Sequence, residues 1–316
     1  MGKRIAADDR IVASWPNLLH QRPSVLPVLS LASEDAKDQN LMMPEISKFL
    51  EIPLNLREKF AIRQQEFTAL VSYESLWTLN SEPLENRLNY FAHALPHLVD
   101  PWFVAGTAVP DWLGAVARRT RPRPEKLLPE TITNAFPQAP ARQQVQSILS
   151  GIVQHHQDDD WFHRTAAFQE VQAQLTLDFR QAFGAQDGFR GGFLAHLSLE
   201  LLLDASLMER YPGKIDQYYE SLKLVDAEVV ELAVNLASKH PTTVFDWFIP
   251  AFLEERFLPD YLDDTLLSWR LRQVWKRIGL DHMPEQLEQA IPAARKLVRH
   301  RTDELLPEHL YAWPIR

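Results

Sequence analysis

His155, Asp159 and His163 recur at i, i+4 and i+8 within Gly-Ile-Val-Gln-His-His-Gln-Asp-Asp-Asp-Trp-Phe-His, residues 151–163. In a helix that spacing stacks the three side chains on one face. A second ladder, His196, Glu200 and Asp204, repeats the spacing within Phe-Leu-Ala-His-Leu-Ser-Leu-Glu-Leu-Leu-Leu-Asp. Imidazole and carboxylate one turn apart, with Cβ atoms about 6 Å from each other, are what a helix offers a divalent metal ion. Leu194, Leu197, Leu199, Leu201, Leu202 and Leu203 surround the second ladder, so its helix is expected to be buried. Ionisable groups buried there cost on the order of several kcal/mol unless something neutralises them. The competing reading is bland: Asp158-Asp159-Asp160 as a solvated acidic face, or His155 and Asp159 as a surface ion pair worth about 0.3–0.5 kcal/mol.

Geometry limits each ladder. Residues i and i+8 lie about 12 Å apart along a helix axis, whereas metal–ligand bonds are about 2.0–2.2 Å long. One ion therefore does not take both His155 and His163. Either His155 and Asp159 join ligands from another helix while His163 orients them, or two ions about 3.5–4 Å apart divide the ligands. His93, ending Asn-Tyr-Phe-Ala-His, and Asp111, in Val-Pro-Asp-Trp, are candidates for the remaining positions. Pro110 fixes the chain before Asp111 and suits a carboxylate at a helix or loop edge. A satisfied core histidine and a helix N-cap are the respective alternatives.

The elements that must position these residues are helical. From residue 88 the pattern predicts helices at Leu88–Leu98, from Asp100-Pro101 to a close at Val109-Pro110-Asp111-Trp112, and then at 140–160, 162–183 and 190–210. Tyr211-Pro212-Gly213 is a stop, after which helices are expected at about 215–238, 243–257, 261–278 and 284–301. Asp100 before Pro101 reads as a cap preceding proline at the first helical position. Arg118, Arg119, Arg121 and Arg123, broken by Pro122 and Pro124, read as a solvated loop. Strand-like alternation is nearly absent, so the expected fold is all-α, a single bundle-like domain over residues 87–316. Residues 1–86 carry Pro16, Pro23, Pro27, Pro44 and Pro53 and show poor periodicity. They are expected to form a largely irregular extension, with one amphipathic helix at about 56–72.

Composition narrows the chemistry. The 316-residue chain has a formal net charge of −9, which argues against nucleic-acid scaffold binding and suits a protein that receives cations. It contains no cysteine, so a metal must be held by nitrogen and oxygen donors. The N-terminal residues lack the roughly 7–15-residue apolar core of a secretory signal. No run of about 18 uncharged apolar residues is present to span a membrane. A cytoplasmic location is the default expectation. His240, His282, His300 and His309 have no carboxylate one turn away on an apolar face and are read as ordinary polar residues.

Asn89-Tyr90-Phe91-Ala92-His93, the aspartate following Gly106 at Asp111, and Gly151-Ile152 followed by His155 and Asp159 resemble the acyl carrier protein phosphodiesterases, helical metal-dependent enzymes related to the His-Asp phosphohydrolases. In order and spacing, Gly106, Pro110-Asp111, His155 with Asp159, His163, and His196 with Glu200 are also similar to zinc-dependent phospholipase C and its nuclease relatives. Both resemblances cover about residues 88–205. No histidine lies between Asp111 and His155, where the phospholipase pattern has a ligand, and its N-terminal tryptophan ligand has no counterpart. The phosphodiesterases have no evident equivalent of the His196–Glu200 pair.

What the two share implies hydrolysis of a phosphoester substrate on an all-helical zinc or manganese site. Asp111 would bridge or terminate the metal set, and His155, Asp159, His163, His196 and Glu200 would complete it. Asp158 or Asp160 would act as general base. The alternatives are a non-catalytic helical metal-binding or interaction protein, or a di-iron carboxylate protein. The last class favours Glu-x-x-His at i, i+3, which differs from the spacing here.

Overall fold

The structure is a computed structural model that describes residues 90–183, 188–277 and 286–314. All of them belong to the larger unit of the chain, Asn55–Arg316. The expected boundary at residue 86 and the helix at 56–72 lie outside the described residues.

Eleven α-helices follow one another among the described residues: α1 (Tyr90–Ala94), α2 (Pro101–Val116), α3 (Pro129–Ala135), α4 (Ala139–Phe162), α5 (Ala166–Phe183), α6 (Gly188–Arg210), α7 (Lys214–Leu222), α8 (Ala227–Ala237), α9 (Phe245–Glu255), α10 (Asp264–Arg277) and α11 (Gln286–Leu305). Short 3-10 turns occupy Leu95–His97, Pro124–Lys126 and Leu258–Leu262. No β-strand occurs among them, and Pro122 and Ser238 form an isolated bridge. The fold is all-α.

Capping chemistry sets α2 where the sequence places it. The Asp100 side chain accepts from the amides of Trp102 and Phe103 at 3.0 and 3.2 Å, and Pro101 at the first helical position gives up an amide that has no helical partner. The expected close at Pro110 is corrected, because α2 runs through it to Val116. Proline there removes the bond to the Gly106 carbonyl, a local cost of about 3 kcal/mol. Burial of Val104, Ala105, Ala108, Val109, Trp112 and Leu113 outweighs it. Trp112 alone packs against Phe245, Phe248 and Phe252 of α9.

Two helix pairs carry the residues of interest. Helix α4 lies against α2, and α6 lies against α5 and α11. The α2–α4 contact is close because glycine meets glycine. A Cβ on Gly106 would stand 2.2 Å from the Ile148 carbonyl oxygen, and one on Gly151 would stand 2.3 Å from that of Phe103. Helix α6 is buried on nearly every side through Leu194, Ala195, Leu197, Leu199, Leu202, Leu203 and Leu207. It is also long and apolar enough to cross a membrane by length and composition, but it is mostly buried inside the protein, as core helices are.

Three further expectations change. Within the expected Leu88–Leu98, Tyr90–Ala94 is α-helix and Leu95–His97 turns to 3-10 geometry, since Pro96 cannot donate the next helical hydrogen bond. The helix expected over 215–238 is two helices, split where Asp226 accepts from the Glu228 amide at 2.9 Å and starts α8 afresh. Helix α3, with Pro129 at its first position and no buried residue, lacks the apolar periodicity that would announce it.

Candidate metal centre

Helix α4 brings its ladder to two neighbouring places. Its inner rungs, His155 and Asp159, meet His93 from α1, and His163 at its C-cap meets His196 and Glu200 of α6. In each trio one ligand atom per residue lies within 4.8 Å of the others. The inner trio is the drier, with His93 0%, His155 1% and Asp159 5% exposed. In the outer trio Glu200 is buried while His163 and His196 are half-buried.

The donor spacing fits an ion. Ligands about 2.1 Å from a tetrahedral metal stand about 3.4 Å from one another. Asp159 Oδ2 lies 3.4 Å from His155 Nε2, and Asp159 Oδ1 lies 3.6 Å from His93 Nε2. Glu200 Oε1 lies 3.4 Å from His163 Nε2 and 3.1 Å from His196 Nε2.

The far nitrogens fit it too. His155 Nδ1 donates to the Thr107 carbonyl at 2.8 Å, and His163 Nδ1 donates to the Asp159 carbonyl at 2.7 Å. Carbonyls only accept, so in each neutral ring the proton sits on Nδ1 and the Nε2 lone pair faces a carboxylate. Lone pair against anion is repulsive unless a proton or a cation lies between. His93 Nδ1 stands 3.2 Å from Asp158 Oδ2, the carboxylate–histidine pairing that orients metal-binding imidazoles. Gln154 and Trp161 donate to Asp158 Oδ1 at 2.7 and 3.1 Å and hold it in turn.

Without an ion the trios satisfy themselves by charge. Burial alone would push the His93 imidazole down, but its hydrogen bonds to Asp158 and Asp159 and the charge of both carboxylates raise it to about 10. Burial would likewise raise Asp159, yet His155 and His93 hold it well below the usual carboxylate range. The same contest at Glu200 is won by His196 and His163, which lower it.

The sequence-derived candidates therefore sort as follows. His93, His155 and Asp159 come together, and so do His163, His196 and Glu200; no residue belongs to both groups. Asp111 is buried within α2 and belongs to neither; its charge instead adds to the burial that raises the phenol of Tyr218 on α7. Pro110 does not end the helix, so Asp111 is not offered at an edge. Asp158 is buried and engaged with His93, while Asp160 is exposed and paired with Arg164 one turn on. Two contributors had no sequence signal as such: the Thr107 carbonyl, and Asp158 as the partner of His93.

Comparison with family models, with curated proteins and with solved structures gives no match. The fold and donor set define an all-helical protein with two groups able to hold a metal ion.

Proposed function

We propose that the protein is a metal-dependent phosphoesterase that works at the His163–His196–Glu200 group and keeps a second, buried ion at His93–His155–Asp159. The reading rests on one observation above all: in both groups an imidazole is locked by a backbone carbonyl so that its Nε2 faces a carboxylate. Such locking is how proteins prepare histidine for a metal. The donors are nitrogen and oxygen, which suits zinc or manganese better than a soft-metal site.

The outer group is the one placed to meet a substrate. His163 and His196 are half-buried, and three protein ligands leave a coordination position for water or a phosphoryl oxygen, as in catalytic sites. A divalent ion held there would lower the pKa of water and offset charge on the phosphoryl oxygens. The chain's own part is to fix geometry. Glu200 supplies the negative charge, Asp159 lends its carbonyl to orient His163, and Asp158 serves His93 instead of acting as a base. The resemblance to acyl carrier protein phosphodiesterases and zinc-dependent phospholipase C concerns the same residues and points to phosphoester substrates.

The test is hydrolysis of bis(p-nitrophenyl) phosphate by full-length protein loaded with zinc or manganese. The proposal expects cleavage that chelation abolishes and that His196→Gln reduces by at least about 100-fold, the upper end for losing even an outer partner of a ligand. Stoichiometric ion binding without cleavage of this or larger phosphoesters would instead identify a non-catalytic metal-binding protein.

A further inference from the structure

Asp204, third rung of the α6 ladder, belongs to neither metal group and is completely buried. Its two carboxylate oxygens accept from consecutive backbone amides on another element: Phe91 at 3.0 Å and Ala92 at 2.8 Å. Both amides belong to α1, and the carboxylate that holds them comes from α6, more than a hundred residues away in sequence.

The carbonyl side of Ala92 is held as well. The Tyr311 hydroxyl donates to the Ala92 carbonyl at 2.8 Å. That carbonyl would ordinarily accept from the residue four positions on, but Pro96 has no amide hydrogen. The residue that follows this doubly held alanine is His93.

We propose that Asp204 and Tyr311 are positioning residues of the inner metal group: together they fix the Phe91–Ala92 backbone so that His93 Nε2 faces Asp159. The inference rests on the reading that this group binds a divalent ion. Asp204 also ties the two groups together, because it stands one turn beyond Glu200 on α6. The inner ligand His93 is thereby aligned by the helix that carries His196 and Glu200 of the outer group. Burial raises the Asp204 carboxyl to about 7, a cost a merely solvated aspartate would not bear.

The test uses full-length protein and manganese or zinc alone, followed by isothermal titration calorimetry. His196→Gln disables the outer group and leaves the inner one as reporter. In that background, Tyr311→Phe and Asp204→Ala should each weaken the remaining ion by about 10-fold or more, the range for lost outer-shell partners. In the His196-containing protein the same changes should weaken one ion and leave the other unaltered. A purely structural role would lower the melting temperature of the metal-free protein and weaken both ions alike. Tyr311→Phe keeps the ring and its packing, so it decides the matter even if Asp204→Ala does not fold. Undiminished inner-ion affinity in Tyr311→Phe, or equal weakening of both ions, overturns the inference alone. A parent protein that binds no ion overturns the metal-centre reading itself, and that is decided before any variant is made.

Discussion

The imidazoles of His93 and His155 are stacked, with centroids 4.2 Å apart and planes inclined by 27°. His163 and His196 repeat the arrangement at 5.0 Å and 5°. In each pair both rings turn Nε2 toward one carboxylate, Asp159 in the first and Glu200 in the second. The repetition matters because the rings come from different elements each time. A chance ion pair on a helix surface would engage one imidazole and leave the other to solvent.

Asp159→Asn tests the inner group directly. It keeps volume but removes the charge that faces both His93 and His155. The expected outcome is a full-length protein that binds one divalent ion fewer by calorimetry. Metal-free stability at neutral pH should fall by about 3 kcal/mol in urea titration, the lower end for breaking a buried pair, because Asp158 still faces His93. Unchanged ion stoichiometry would remove Asp159 from the centre.

The pH dependence of the metal-free protein follows from the raised and lowered groups. His93 is raised from 6.5 to about 10. Its contribution is therefore complete below pH 6.5 and is lost as pH rises toward 10. Asp159 is lowered from 3.8 and Glu200 from 4.5, so their contributions are present above those values and are lost as pH falls. The contributions of these three groups are all in place between about pH 4.5 and 6.5 and decline on both sides, so the gap in urea midpoint between the parent and Asp159→Asn should be widest there. Ion binding displaces the His93 proton, so calorimetric enthalpies near neutral pH should change with the ionisation heat of the buffer. Buffer-independent enthalpies would mean that His93 is not a ligand.

Much of this was legible in the sequence. The i, i+4 spacing put His155 with Asp159 and His196 with Glu200, and the structure brings each pair together, because helix periodicity converts sequence distance into a shared face. The burial of α6 followed from its leucines. The sorting into two groups was not legible, since it depends on how α1 and α5 set α6 beside α4. Pro110 suggested a helix edge at Asp111, and the burial of α2's apolar residues, Trp112 against α9 among them, carries the helix through it. In the sequence Asp158 reads only as a candidate general base, and its partner His93 lies sixty-five residues away.

Ion selectivity gives a further test. Two imidazoles and one carboxylate per group suit zinc or manganese, whereas magnesium and calcium prefer oxygen cages. Zinc or manganese at about 100 times its dissociation constant should add about 2.7 kcal/mol per independent site, visible as a rise in melting temperature of chelator-treated protein. Magnesium and calcium at equal concentration should leave it nearly unchanged. A larger shift with calcium would point to an oxygen site elsewhere.

The glycines of the α2–α4 crossing set how closely Thr107 approaches His155. A methyl on Gly151 would stand 2.3 Å from the Phe103 carbonyl oxygen and 2.9 Å from the Gly106 Cα. These are backbone atoms that no rotamer change can move, so Gly151→Ala must push α2 away from α4. The bond from His155 Nδ1 to the Thr107 carbonyl spans the same crossing and should lengthen with it. The expected loss is about 3 kcal/mol of stability, the upper end for overpacking, together with weaker inner-ion affinity. Gly192→Ala is the matched control: its Cβ would meet nothing within 4 Å, and alanine should stabilise α6 by up to about 1 kcal/mol. Urea titration and calorimetry of the two variants side by side separate the effects. Gly151→Ala retaining parental stability would show that the crossing can open freely, and the carbonyl lock on His155 would then be incidental to it.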